Sequence, residues 1–97
     1  MAFIQVITYR TDRREEMDAL VERWLEDTED VRRARKRLLL KDRRDKDSYM
    51  EVVFFDSYED AMHNSELPAT RLLSTAFEQL AVDGFDFRDF DLISDHL

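Results

Sequence analysis

Residues 3–9, Phe-Ile-Gln-Val-Ile-Thr-Tyr, are β-branched and aromatic, with Phe3, Ile7 and Tyr9 on one face and Ile4, Val6 and Thr8 on the other. Apolar groups on both faces need cover from two sides, so this segment reads as a central strand. Met17, Leu20, Val21, Trp24 and Leu25 then recur at helical spacing, the stripe of an amphipathic helix over 13–27. Asp12, with Glu15 three residues on, reads as its capping box. The opposite stripe, Glu16, Glu22, Arg23 and Glu26, is an ordinary solvated face. A turn at Thr28 to Asp30 leads to a strand over 31–41. A charged turn over 42–47 then precedes a third strand over 49–56, whose Val52, Val53, Phe54 and Phe55 again serve both faces. That spacing predicts a long antiparallel hairpin.

Ser57, followed three residues later by Asp60, opens a short helix over 58–64. Pro68 suits the first turn of a second helix, whose stripe is Leu72, Leu73, Ala76, Phe77 and Leu80, with Gly84 as the expected C-terminal cap. The last strand, over 85–93, changes parity between Phe85 and Phe87 on one side and Phe90 and Leu92 on the other. A bulge is therefore expected near Arg88 and Asp89. The order is β-α-β-β-α-β, an α+β ferredoxin-like split arrangement with an antiparallel sheet and the helices on one face. The other face would be bare and apolar, which predicts a two-fold homodimer packed through the helix-free sheet face.

At 97 residues the chain is one domain spanning 1–97, with a thin core that a partner subunit would support. No cysteine is present, which excludes a disulfide framework, a thiolate zinc site and a cysteine nucleophile. No apolar run approaches the roughly 20 residues that cross a bilayer, and the N-terminus lacks signal-peptide order, so a cytoplasmic location with no membrane partner is expected. The formal charge is -8, yet nine of the 15 cationic side chains fall between Arg32 and Lys46. A basic run can grip phosphates. Here the acidic balance, the lack of a binding signature and the absence of interleaved aromatics argue against nucleic acid. The run fits a charged sheet edge that blocks stray strand pairing. Asp86, Asp89 and Asp91 lie on the opposite edge, so Arg33, Arg35 and Arg37 are expected to meet those acids across a dimer and set its register.

The run YMEVVFFDSYEDAMHNSELPAT from Tyr49 to Thr70, the opening FIQVITYR and the element order resemble the dimeric α/β-barrel superfamily, particularly its antibiotic-biosynthesis-monooxygenase-like members. The resemblance covers nearly the whole chain. It implies a cofactor-independent monooxygenase-like protein that binds flat aromatic or polyphenolic molecules between sheet and helices. The family's His, Ser, His pattern is met by His63 and Ser65, while Leu67 and Pro68 stand near the place of the second His. His63 is the candidate proton acceptor, since an imidazole titrates near neutral pH. Tyr9, Tyr49 and Trp24 are the candidate pocket lining, and Asn64 and Arg71 the candidate polar edge. No Gly-rich phosphate loop, H-E-x-x-H, G-x-S-x-G or EF-hand pattern occurs, and no metal or cofactor is expected. The alternative is a non-catalytic homodimer that binds a ligand or supports a complex. A cavity with His63 at its wall would favour the enzyme.

Overall fold

The computed structural model describes residues 2–96. Its elements are β1 (Phe3–Arg10), α1 (Arg14–Asp27), β2 (Lys36–Lys41), β3 (Ser48–Phe55), α2 (Tyr58–Glu66), α3 (Pro68–Leu80) and β4 (Val82–Asp91). The four strands form one antiparallel sheet in the order β2-β3-β1-β4, so the two edges are the strands expected there. This is the ferredoxin-like α+β arrangement, with the second crossover made of two helices. Ser57 caps α2 by accepting the Asp60 amide at 3.1 Å, and Pro68 opens α3 where a missing N–H costs nothing.

Strand parity decides what each face does. Phe3, Ile7 and Tyr9 of β1 point toward the helices with Val53 and Phe55 of β3 and Phe85 of β4. Two apolar groups result, one around Tyr9, Met17, Val21 and Phe77, the other around Phe3, Phe55 and Ala61. The opposite parity carries Leu38, Val52 and Val6 side by side across three strands, flanked by Phe54 and Ile4 and by Leu40 and Met50. None of these belongs to either core group, and Leu40 and Phe90 are 44 % and 41 % exposed.

Four local expectations are corrected. The strand expected from residue 31 begins at Lys36, because the preceding amides turn elsewhere: Val31 and Arg32 bond to the Thr28 carbonyl and Arg33 to Asn64 Oδ1. Asp12 does not cap α1. Thr11 Oγ1 instead accepts the Arg13 amide at 3.0 Å, and Arg13 occupies the cap position without a side-chain bond to the helix-end amides. Gly84 does not cap α3, which ends at Leu80 with the Ala81 amide on the Phe77 carbonyl. Gly84 (φ 79°) and Asp83 (φ 64°) instead form a bulge at the start of β4, where the register jumps between Tyr9 opposite Phe85 and Arg10 opposite Val82. Pairing then runs unbroken through Arg88 and Asp89. The parity change in the sequence therefore reflects a strand with apolar groups on two faces, Phe85 and Phe87 toward the helices and Phe90 away.

Three cations of the basic run are engaged within the chain. Arg33 pairs with Asp60 at 2.8 Å, Arg35 with Asp56 at 2.7 Å and Arg37 with Glu51 at 2.6 Å. These arginines fasten β2 and its approach to β3 and α2. The Arg35 guanidinium holds the Asp56 carboxyl below its ordinary range through their hydrogen bond.

Candidate functional site

Side chains do not fill the space between sheet and helices, and a cavity of about 280 Å³ remains. Its origin lies on α3, where the inward positions Thr70, Leu73, Ser74 and Phe77 alternate short and long side chains. Trp24, Phe77, Phe85 and Phe87 give the cavity aromatic walls, with Ile7 and Val53 from the sheet. An apolar cleft of this size, with a few convergent polar groups, has the general form of a small-molecule site.

The polar groups come from the middle of the sheet. Glu51 of β3, only 5 % exposed, stands at the cavity wall. Its Oε1 accepts Arg37 Nε at 2.6 Å, and its Oε2 accepts the Tyr9 hydroxyl at 2.7 Å. That hydroxyl in turn accepts Arg14 Nη1 at 2.5 Å, and Arg14 Nε donates to Asp18 at 2.9 Å. A continuous row, Arg37, Glu51, Tyr9, Arg14, Asp18, thus runs from the edge strand to the outer side of α1. Burial is the main cause that pushes the Tyr9 phenol well above its ordinary pKa; the Arg14 bond opposes this and Glu51 reinforces it. Burial works against the Arg14 cation, but Tyr9 and Asp18 outweigh it and hold its pKa above the usual value. Arg37 and Arg14 each keep a buried Nη2 without a partner.

At the other end of the cavity the Trp24 indole donates to Thr70 Oγ1 at 2.9 Å, fixing the ring between α1 and α3. The Arg32 guanidinium lies 5.6 Å from the centre of that ring and donates through Nη1 to the Leu25 carbonyl and Thr28 Oγ1.

Of the residues expected from sequence, the structure brings Trp24 and Asn64 to the cavity wall. Asn64 is buried, and its Oδ1 ties down the Arg33 amide at 3.1 Å. Tyr9 and Tyr49 stack at 6.0 Å beneath Arg14 and lie behind the wall, where Tyr9 reaches the site only through Glu51. Arg71 is exposed on α3 away from the cavity, and His63 is exposed in a separate open, charged depression beside Asp60, Asp56 and Arg33. Glu51, Arg37 and Arg32 were missed. Glu51 had a signal: an acid at an inward position of an otherwise apolar strand, YMEVVFF, needs a buried partner.

No protein-family model matches the chain, and none of the curated proteins does. Solved structures do. SnoaB, a cofactor-independent oxygenase from Streptomyces nogalater, is 14 % identical and superposes with a TM-score of 0.81 over 97 % of this chain and 95 % of that one. Rv0793 from Mycobacterium tuberculosis is 10 % identical, TM-score 0.80, over 98 % of each chain. A candidate antibiotic biosynthesis monooxygenase from Caulobacter crescentus is 9 % identical, TM-score 0.82, over 96 % of this chain and 91 % of that one. Together with the element order and sheet topology, these likenesses give the chain the fold of the antibiotic-biosynthesis-monooxygenase-like proteins of the dimeric α/β-barrel superfamily.

Proposed function

We propose that this protein binds a flat aromatic small molecule in the cavity between sheet and helices and supports its oxygenation without a cofactor. The observation that carries this reading is the aromatic-walled cavity with one buried carboxylate, Glu51, at its wall. In such chemistry the substrate's own carbanion or phenolate gives electrons to dioxygen. The protein supplies desolvation, alignment between aromatic faces and a proton acceptor. Glu51 takes the acceptor's part in place of His63, which stands outside the cavity. Arg37 and Tyr9 orient the Glu51 carboxylate. The likeness in fold to SnoaB, itself a cofactor-independent oxygenase, supports the same reading.

The second reading, a non-catalytic ligand-binding dimer, is favoured by one specific feature: both Glu51 oxygens are already engaged. Under either reading we take the working unit to be a homodimer packed through the sheet face that bears Leu38, Val52 and Val6. Among the described residues no helix is long and apolar enough to cross a membrane. The test is a panel of anthrone-like and quinol compounds incubated with the protein in air, following oxygen uptake and quinone formation. Turnover above the protein-free rate supports the oxygenase. Binding seen as quenching of Trp24, without turnover, selects the ligand-binding protein.

A further inference from the structure

The cavity is electrically lopsided. At its Trp24 end stands Arg32, whose hydrogen bonds go to a carbonyl and a hydroxyl and, among the described residues, to no carboxylate. Only Nη1 is used in those bonds, and among the described residues no hydrogen bond or ion pair engages Nε or Nη2. The Nε and Nη2 edge is the two-pronged side that matches a carboxylate. The other charges at the wall are accounted for differently. Arg37 is neutralised by Glu51 and Arg35 by Asp56. Lys36 sits 5.7 Å from the centre of the Phe54 ring on the helix-free face. Glu78 is the remaining carboxylate, and it lies eight residues beyond Thr70, the partner of Trp24. Along α3 that is about 12 Å from the Arg32 end.

We infer that the ligand is an aromatic carboxylate, its ring against Trp24 and its carboxylate on the Nε and Nη2 edge of Arg32. The inference rests on the proposed ligand-binding role of the cavity and adds the charge and orientation of the ligand. An indole face beside an open guanidinium fork gives a ring and an acid group adjoining places to sit. Glu78 at the far end repels the acid group and favours a single orientation. A guanidinium with no carboxylate partner among the described residues draws an anion to the Trp24 end of the cavity.

A matched pair tests this: anthraquinone-2-carboxylate and its neutral carboxamide, titrated at pH 7 by calorimetry and by quenching of Trp24, the sole tryptophan. The carboxylate is expected to bind about tenfold more tightly than the amide, as one charge-assisted fork contact allows. Arg32→Gln is expected to abolish the preference, so that the carboxylate and the amide bind alike; Arg32→Lys, which keeps the charge without the fork, retains part of it. Equal affinities for the pair, or a preference that survives in Arg32→Gln, overturn the inference while the cavity remains a ligand site. If neither compound binds, the ligand-binding reading falls and this one with it.

Discussion

The Tyr9 phenol on β1 donates to Glu51 Oε2 on β3 at 2.7 Å, although the two residues are not opposite each other in the sheet. Tyr9 faces Tyr49, and Glu51 faces Ile7, so the bond runs diagonally across the strand pair on the helix side. Tyr9→Phe keeps the ring and removes the hydroxyl, leaving a carboxylate oxygen and Arg14 Nη1 short of a partner. Leaving buried polar groups unsatisfied costs about 1–3 kcal/mol. Urea unfolding is expected to show that loss as a lower midpoint at unchanged slope. An unshifted midpoint would mean that water replaces the hydroxyl.

The same residue sets a behaviour in alkali. Burial holds the folded Tyr9 phenol in its neutral form above the ordinary tyrosine pKa, while the unfolded chain ionises there. The stabilising difference is therefore complete below about pH 10 and declines as pH rises beyond it, because the unfolded state gains an ionisation the folded state resists. Thermal melts of wild type and Tyr9→Phe between pH 8 and 11 should converge as pH rises. Parallel curves would show that Tyr9 does not drive the alkaline loss.

At Gly84 the backbone, not space, is decisive. Its φ of 79° lies in the left-handed region, and an added Cβ would meet nothing within 4 Å. Gly84→Ala is expected to cost about 1 kcal/mol from conformation alone. Gly84→Val should cost more, since a β-branched residue tolerates that region worst. If both substitutions are neutral by urea unfolding, the bulge relaxes into ordinary pairing.

Much of this fold could be read from periodicity. The stripe from Met17 to Leu25 marked α1, and Phe3, Ile7 and Tyr9 were grouped on one face, because those patterns are set by burial and burial dominates local structure. The bulge was misplaced because two opposite causes, an extra residue and a two-faced strand, give the same parity change at Phe87 and Phe90. The cavity was less legible. Trp24 and Asn64 could be named from helix position, but Arg32 enters through an irregular segment whose path depends on the bond from the Arg33 amide to Asn64, 31 residues further on. His63 carried the right chemistry one residue before Asn64 of the wall, on the outward side of α2, and no local pattern distinguishes the two sides of so short a helix.

The helix-free face makes its own demand. Leu38, Val52 and Val6 lie in one row across three strands, a contiguous apolar surface that a monomer would leave wet. Val52→Lys places a charge at the middle of that row. It is expected to convert a dimer to a monomer at micromolar concentration while the circular dichroism stays native, read by sedimentation velocity. A wild-type chain that sediments as a monomer overturns the dimer outright.

The catalytic reading separates two candidate proton acceptors by place alone. His63 is exposed beside Asp60 and Arg33, outside the cavity, so His63→Ala should leave oxygen uptake within about twofold of wild type, because a residue that touches no substrate alters no proton transfer. Glu51 is buried at the cavity wall, and Glu51→Gln keeps its shape but removes its basicity. General-base catalysis contributes about 10²–10⁴-fold, so the variant should lose at least the lower of these factors in kcat. Glu51→Gln also weakens the bonds from Arg37 and Tyr9, so its ligand affinity must be followed by Trp24 quenching alongside the rate. A fall in rate at unchanged affinity assigns the proton transfer to Glu51. An active Glu51→Gln together with an inactive His63→Ala would move the chemistry to the outer depression and leave the cavity a binding role alone.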